Sequence, residues 1–261
     1  MRHVPTVALR ELRSLFVSPV AYGVLSLFAV LSGLFFSLYV AAFNAWMVQL
    51  QQFQAFDQLQ ELNLNDHLIG AFFDNVGMVL MFLVPGITMS LYVAEKNNGT
   101  EELLLTSPLT SWDIVLGKFA AAALFVTLLV AMAGALPGLL FFYGEPEVGK
   151  TLSGLLGTLL LGWTYVAVGA FASSLTRSQV VSFLICFVLL LVLMLLPAVA
   201  DLGLAGAGDG LSAVFRWLSA GGHVQGLIQG LVDTADLVYF AVMIGSFLLL
   251  TRLTVDSVRW R

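Results

Sequence analysis

The sequence predicts an all-α integral membrane protein with six transmembrane helices. Three observations carry that prediction. Hydrophobic residues make up 59% of the chain and charged residues only 10%, against about 25% charged in ordinary soluble domains. The mean hydropathy is +0.96. The uncharged residues gather into long runs, and about 20 apolar residues in a helix cross about 30 Å of hydrocarbon. Finally, lysines and arginines are segregated between alternate connections, as orientation in a membrane requires.

The elements follow in chain order. Residues 1–19 predict an amphipathic helix lying at the membrane surface. In "ALRELRSLFVSPVAYG", Ala8, Leu12, Leu15 and Phe16 share a helical face, with Arg10 and Arg13 opposite and Glu11 between them in sequence. Pro19 can then turn the chain into the membrane. The first span is assigned to 20–43, since no charged residue lies between Arg13 and Asp57. A cleaved signal peptide fits this stretch poorly, because the apolar run exceeds the usual h-region and "YVAAF" is a weak cleavage site. Further uncharged runs at Asn75–Ala94, Phe119–Gly144, Thr151–Thr176, Ser178–Ala200 and Leu237–Thr251 place spans at 70–94, 112–143, 151–175, 178–200 and 236–254. Inside a bilayer such runs must be helices, because no water is there to satisfy loose backbone groups.

Two longer connections, 44–69 and 201–235, lie on one side of the spans. The first is rich in Gln and Asn, and Trp46, Leu50, Phe53 and Leu59 recur at nearly helical spacing, which predicts an amphipathic interfacial helix. Leu211–Leu218 and His223–Val232 predict two short helices dipping into the leaflet. Trp46, Trp217 and Tyr239 suit interfacial anchoring. His67, Asp74 and Asn75 stand at the end of the second span, where capping or headgroup contact is the expected role. Gly154, Gly157, Gly162 and Gly169 in the fourth span, with Ala131 and Ala135 in the third, read as helix-packing positions.

Charge sets the orientation. Arg2, Arg10, Arg13, Lys96, Lys118, Arg177, Arg252, Arg259 and Arg261 fall on one side of a six-span topology, and Lys150 and Arg216 on the other. Both termini are therefore expected in the cytoplasm. The opposite side carries Asp57, Glu61, Asp66, Glu145, Glu147, Asp201, Asp209, Asp233 and Asp236. The net charge of −5 argues against nucleic acid as a partner. Cys186 is the chain's single cysteine and lies in an apolar run, so no internal disulfide and no metal or redox pattern is expected.

One stretch, "GEPEVGKT" at Gly144–Thr151, matches the phosphate-binding pattern G-x-x-x-x-G-K-S/T. Its context is wrong. A true phosphate loop follows a strand and opens a helix in a soluble α/β domain. Here "LPGLLFFY", the end of a membrane helix, precedes it. Glu145 and Glu147 would repel phosphate, and Pro146 lacks one of the cradling N–H donors. The expected role is a polar turn on the outer side, with no ATPase site and no metal or nucleotide cofactor in this chain.

The connection between the second and third spans, 95–111, reads differently. Asn97, Asn98 and Gly99 break the membrane helix. Thr100 can cap a new helix whose first turn holds Glu101 and Glu102, where the dipole favours negative charge. Leu103, Leu104 and Leu105 supply an apolar side. Ser107-Pro108 ends it, since proline disfavours helix in the residue before it. A second helix starts near Ser111.

These residues carry a family resemblance. The stretch is similar to the loop of type-2 ABC exporter permeases, with the pattern E-K/R-x-x-G-T-x-E-x-L-L-x-S/T-P-L/I/V-S/T-x-x-x-L/I/V-x-x-G-K. Glu95, Lys96, Gly99, Thr100, Glu102, Leu103 or Leu104, Ser107, Pro108, Leu109, Thr110, Val115, Gly117 and Lys118 match it, with the glutamate–leucine register, including Glu101, displaced by one. The resemblance implies that 95–111 is a cytoplasmic coupling helix docking on a separate ABC ATPase subunit, which binds the ATP and Mg. It implies that the N-terminal segment with Arg10, Glu11, Leu12, Arg13 and Pro19 is the membrane elbow. It also implies a second permease, copy or paralogue, in the bacterial inner membrane, with lipids around it. "HVQGLIQGLVDTADLVYF" further resembles the gliding-motility permeases through His223, Gly230, Asp233, Asp236, Tyr239 and Phe240, and makes these residues outer-gate candidates.

Other classes fit less well. A rhomboid-type protease needs G-x-S-G, which does not occur in the chain. A secondary transporter usually carries carboxylates or broken helices at mid-membrane, whereas the long runs Phe119–Gly144, Thr151–Thr176 and Ser178–Ala200 of the third to fifth spans hold no charge. A passive interaction subunit leaves the surface helix unexplained. The apolar spans suit an amphiphile, a lipid-linked molecule or a hydrophobic peptide as cargo.

Overall fold

The computed structural model describes residues 3–53, 63–100, 110–142, 146–201, 214–215 and 217–259, and among these it contains no strand. The helices are α1 (Val4–Val17), α2 (Pro19–Gln52), a π-type stretch (Asn65–Gly70) running into α3 (Ala71–Thr88), α4 (Val93–Asn98), α5 (Ser111–Leu140), α6 (Val148–Leu175), α7 (Gln179–Asp201), α8 (Ala220–Ile228) and α9 (Thr234–Arg259). Among the described residues six stretches are long and apolar enough to cross a membrane: α2, Asn65–Asn98, α5, α6, Gln179–Leu196 within α7 and Thr234–Ser257 within α9.

The fourth span, α6, is the centre of the bundle. Two thirds of its apolar window is buried (67%), against 11% for α2 and 17% for α7, which lie at the periphery. Small residues put it there. A Cβ added at Gly154, Gly157, Gly162 or Gly169 would meet Phe73, Leu227, Val126 or Thr88 at 2.9 Å or less. In lipid the surroundings are as apolar as the core, so close packing of this kind, not escape from water, holds helices together. Ala131 and Ala135 do not share this role. Both point out of the bundle, and Ala121, Ala122 and Ala133 take the packed face of α5. Spacing alone defines a face but not the direction in which it points.

α1 lies on the bundle as an amphipathic helix. Val7 and Ala8 are buried, Leu12, Leu15 and Phe16 are half-buried, and Arg10 and Arg13 are exposed. Ser18, with extended backbone, breaks it from α2, and its Oγ accepts from the Val20 N–H at 3.3 Å. Pro19 takes the first helical position, where its missing N–H is no loss.

The first span differs from expectation. α2 continues without a break to Gln52, about 51 Å of helix at 1.5 Å per residue. Trp46 and Leu50 therefore extend the span itself and form no separate interfacial helix; Leu59 lies outside the described residues. No Gly or Pro interrupts 44–52, and Ala, Met, Leu and Gln there favour helix. The Trp46 ring meets His67 with centroids 5.0 Å apart, which ties this extension to the start of the second span.

Candidate functional site

The end of the bundle that carries α1 gathers most of the residues singled out in the sequence. The second span stops being a regular helix after Thr88, and Met89–Tyr92 form turns. Two backbone groups freed there are satisfied by one side chain of the fourth span. Ser173 Oγ donates to the Met89 carbonyl at 3.1 Å and accepts from the Tyr92 N–H at 3.1 Å. α4 then runs to Asn98 and closes on Gly99, at φ 68°. That left-handed conformation penalises any residue with a Cβ, which explains the glycine. The Thr100 N–H returns to the Glu95 carbonyl at 3.1 Å.

Facing α4 is the start of α5. Thr110 and Asp113 form a capping box: the Thr110 Oγ accepts from the Asp113 N–H at 3.2 Å, and the Asp113 carboxylate accepts from the Thr110 N–H at 3.3 Å. This fixes where α5 begins and so where Lys118 stands. Lys118 is 1% exposed. Its Nζ donates to the Leu91 carbonyl at 2.6 Å and pairs with Glu95 at 2.9 Å and Glu11 at 3.3 Å. The three acceptors use the three protons of the ammonium. Below it lies the Tyr92 ring, 5.3 Å from Nζ to centroid.

Arg10 closes the cluster from outside, with Nη2 2.6 Å from Glu11 and 3.2 Å from Glu95. The hydrogen bond that Arg10 donates to Glu11, supported by the charges of both glutamates, raises the guanidinium pKa, so Arg10 stays charged. Two cations and two carboxylates thus balance in a hub that joins α1, α4 and α5. Gly117, one residue earlier, lets α1 approach. A Cβ there would stand 2.6 Å from Val7 Cγ1 and 3.3 Å from the Val4 carbonyl.

A second anchor holds the same segment. Lys96 Nζ donates to the Ser174 carbonyl at 2.5 Å and reaches the Thr176 carbonyl at 3.4 Å. These carbonyls end α6, where a cation also complements the helix dipole. Ser174 Oγ lies 2.6 Å from Thr254 Oγ1 of α9, and Ser111 bonds to Asp256. Glu95, Lys96, Gly99, Thr100, Gly117, Lys118, Arg10 and Glu11 are therefore brought together. Leu12 is half-buried, Arg13 is exposed, and Pro19 opens α2. Glu101, Glu102, Leu103, Leu104, Ser107 and Pro108 lie outside the described residues.

Glu11 is the residue whose role sequence reasoning missed. It stands three after Ala8 and four before Leu15, so it belongs to the apolar face of α1 and had to meet a cation inside. Ser173 carried no readable signal. Serine near a helix end is common, and its target is a break 81 residues away.

At the far end, the outer-gate candidates form a built unit. His223 Nδ1 is 2.6 Å from Asp236 Oδ1, and Nε2 is 3.1 Å from the Trp217 carbonyl. The imidazole stacks on Tyr239, with centroids 4.1 Å apart, and the Tyr239 hydroxyl donates to the Leu218 carbonyl at 2.8 Å. Asp233 accepts from the Ala235 N–H at the start of α9. Gly230, at φ 89°, ends the turn after α8 and lies against Lys150.

Lys150, the lysine of the phosphate-loop pattern, is occupied by Asp66 at 3.5 Å and Glu147 at 3.7 Å. It sits in the first turn of α6. The side chain of Asn65 grips the Glu147 backbone in both directions, donating at 3.0 Å and accepting at 3.2 Å. Gly144 and Glu145 lie outside the described residues.

Residues 6–255 match the model of the ABC-2 family transporter protein family. Over 111 residues the chain is 32% identical to the probable multidrug ABC transporter permease YbhR of Escherichia coli strain K12, and equally to its counterpart in E. coli O157:H7. That stretch is 42% of this chain and spans 30% of each relative's length. With six candidate spans among its described residues and a family match over nearly its whole length, the chain belongs to the ABC-2 transporter family.

Proposed function

We propose that the chain is the permease subunit of an ATP-driven exporter, coupled to separate ATPase subunits through 95–111. The single observation that carries this reading is the Lys118 hub. It fixes the base of that segment to α1 and to the third span, and Lys96 fixes it to the end of the fourth. A push on 101–109 thus enters three helices at once instead of bending a loop. Family membership implies an ABC ATPase partner, and ATP and Mg belong to that partner. Lys118 and Gly117 act from inside as positioning residues, so the contacts with the ATPase fall to 100–109.

The topology follows from charge. The end with α1, α4 and the hub faces the cytoplasm of a bacterial inner membrane, and α8 lies outside. A second permease, copy or paralogue, completes the path, and the exposed apolar faces of α2 and α7 are where it or lipid packs. The His223–Asp236–Tyr239 unit supports a place near the gliding-motility permeases and acts as an outer clasp that gates release. The apolar interior suits amphiphilic cargo, and the E. coli relative is named a probable multidrug permease.

The test is co-purification. The tagged chain, purified from cells that produce it natively, brings an ABC ATPase subunit down in stable proportion. Recovery of the chain alone, well folded, contradicts the reading.

A further inference from the structure

We infer that the far half of the bundle holds a binding cleft for an amphipathic organic cation, with Asp74 as its charge partner. The inference rests on the exporter reading and adds the cargo's chemistry to it. Two cavities meet there. One, of about 370 Å³, lies between α3, α6, α7 and α8 and is lined mainly by apolar side chains, including Met78, Met81, Tyr165 and Met194. The other, of about 570 Å³, is polar and lies beside Asp66 and Lys150. Asp74 and Gln225 line both, and so form the neck between them.

The charges at this neck are unequal. Lys150 is taken by Asp66 and Glu147, and Asp236 by His223. Among the described residues no hydrogen bond or ion pair holds the Asp74 carboxylate. An ionisable side chain within a span and without a partner points to function. The charge that complements it is positive.

The cleft also has a side opening. Met78 is 50% exposed and Met194 52%, while Met81 between them is 3% exposed. A molecule dissolved in the bilayer therefore meets an unbranched, polarizable lining that adapts to irregular shapes, then a carboxylate, then the polar outer cavity. That sequence of surfaces fits a molecule with an apolar body and one cationic group. An anion would meet Asp74 and Asp66, and a sugar would find few hydrogen-bonding partners in the apolar part.

The test uses two ions of the same shape and opposite charge, tetraphenylphosphonium and tetraphenylborate. Each is titrated by calorimetry into the purified full chain in non-ionic micelles, with empty micelles as background. Saturable binding of the cation and none of the anion is expected. Asp74→Asn raises the cation's Kd about tenfold or more, the loss of one charge-assisted contact, and Asp74→Glu largely keeps it. Met194→Trp, which fills the side opening without touching charge, also weakens binding, and the unfolding temperatures of the variants confirm intact folding. Equal binding of both ions, or a cation affinity indifferent to Asp74→Asn, identifies a cavity for lipid tails and overturns the proposal. Loss of cation binding on dimerisation assigns the cleft to a second copy and overturns it as well. No ATPase subunit takes part in these measurements, so their failure leaves the coupling reading standing, and failure to recruit an ATPase leaves the cleft standing.

Discussion

Replacing Lys118 by methionine keeps most of the side chain's volume and removes only its charge. Three contacts go: the Leu91 carbonyl at 2.6 Å, Glu95 at 2.9 Å and Glu11 at 3.3 Å. Two carboxylates are left sharing one nitrogen of Arg10, and a backbone carbonyl loses its donor. Removing one partner of a buried ion pair costs about 3–5 kcal/mol. Glu11 and Glu95 keep 16% and 18% of their side-chain exposure, and Arg10 remains, so water and the guanidinium return part of this. The expected loss is about 2–3 kcal/mol. For a chain of this size that lowers the apparent Tm by about 5–10 °C, measurable by thermal unfolding of the purified protein. Adding Glu11→Gln and Glu95→Gln removes the unbalanced carboxylates and restores most of the Tm, because a fully neutral site is far less costly than a half-empty one. Stimulation of the ATPase stays low in this triple variant, since the charged hub is gone although the fold is sound. A Lys118→Met protein with unchanged Tm refutes the hub as a structural element. A triple variant that stays as unstable as the single one shows that lost packing, not charge, explains the effect.

Gly117→Ala drives a Cβ into Val7 and destabilises the α1–α5 contact by about 1–3 kcal/mol; Val7→Ala in the same chain makes room and recovers the Tm, and no recovery means that the close approach is not the cause. Lys150→Ala leaves the ATPase rate of the assembled complex within about twofold of wild type, because a transition-state phosphate contact is worth orders of magnitude; a collapse of the rate with assembly intact restores the phosphate-loop reading. In a Cys186→Ser background, Pro146→Cys reacts with an impermeant thiol reagent added to intact cells and Asn98→Cys does not; the reverse pattern inverts the topology.

The spans were legible because a bilayer admits few alternatives. An uncharged run of sufficient length has to be a helix, and Asn97-Asn98-Gly99 had to end one. The glycines of the fourth span were legible for a similar reason: in lipid, close packing needs small residues. The hub was half legible. Glu95 and Lys118 stood out through a resemblance, but nothing local shows that Lys118 turns inward or that Glu11, 107 residues away, completes it. The same holds for Asn65, whose grip on Glu147 spans 82 residues. The length of α2 is not legible in the sequence, because polar Gln and Asn end only the apolar part of a membrane helix and not the helix itself. Ala131 and Ala135 were misassigned because a stripe of small residues does not say which neighbour it faces.

The central claim is that force enters through the segment after Gly99. It is tested most directly by the ATP hydrolysis of the partner ATPase reconstituted with this chain, wild type against Leu103→Pro. Proline inside the predicted surface helix removes an N–H and clashes with the preceding turn, costing about 3 kcal/mol locally, and leaves the spans and the hub untouched. The account predicts a protein of normal abundance and Tm that still carries the ATPase but no longer stimulates it. Full stimulation by the proline variant contradicts the account.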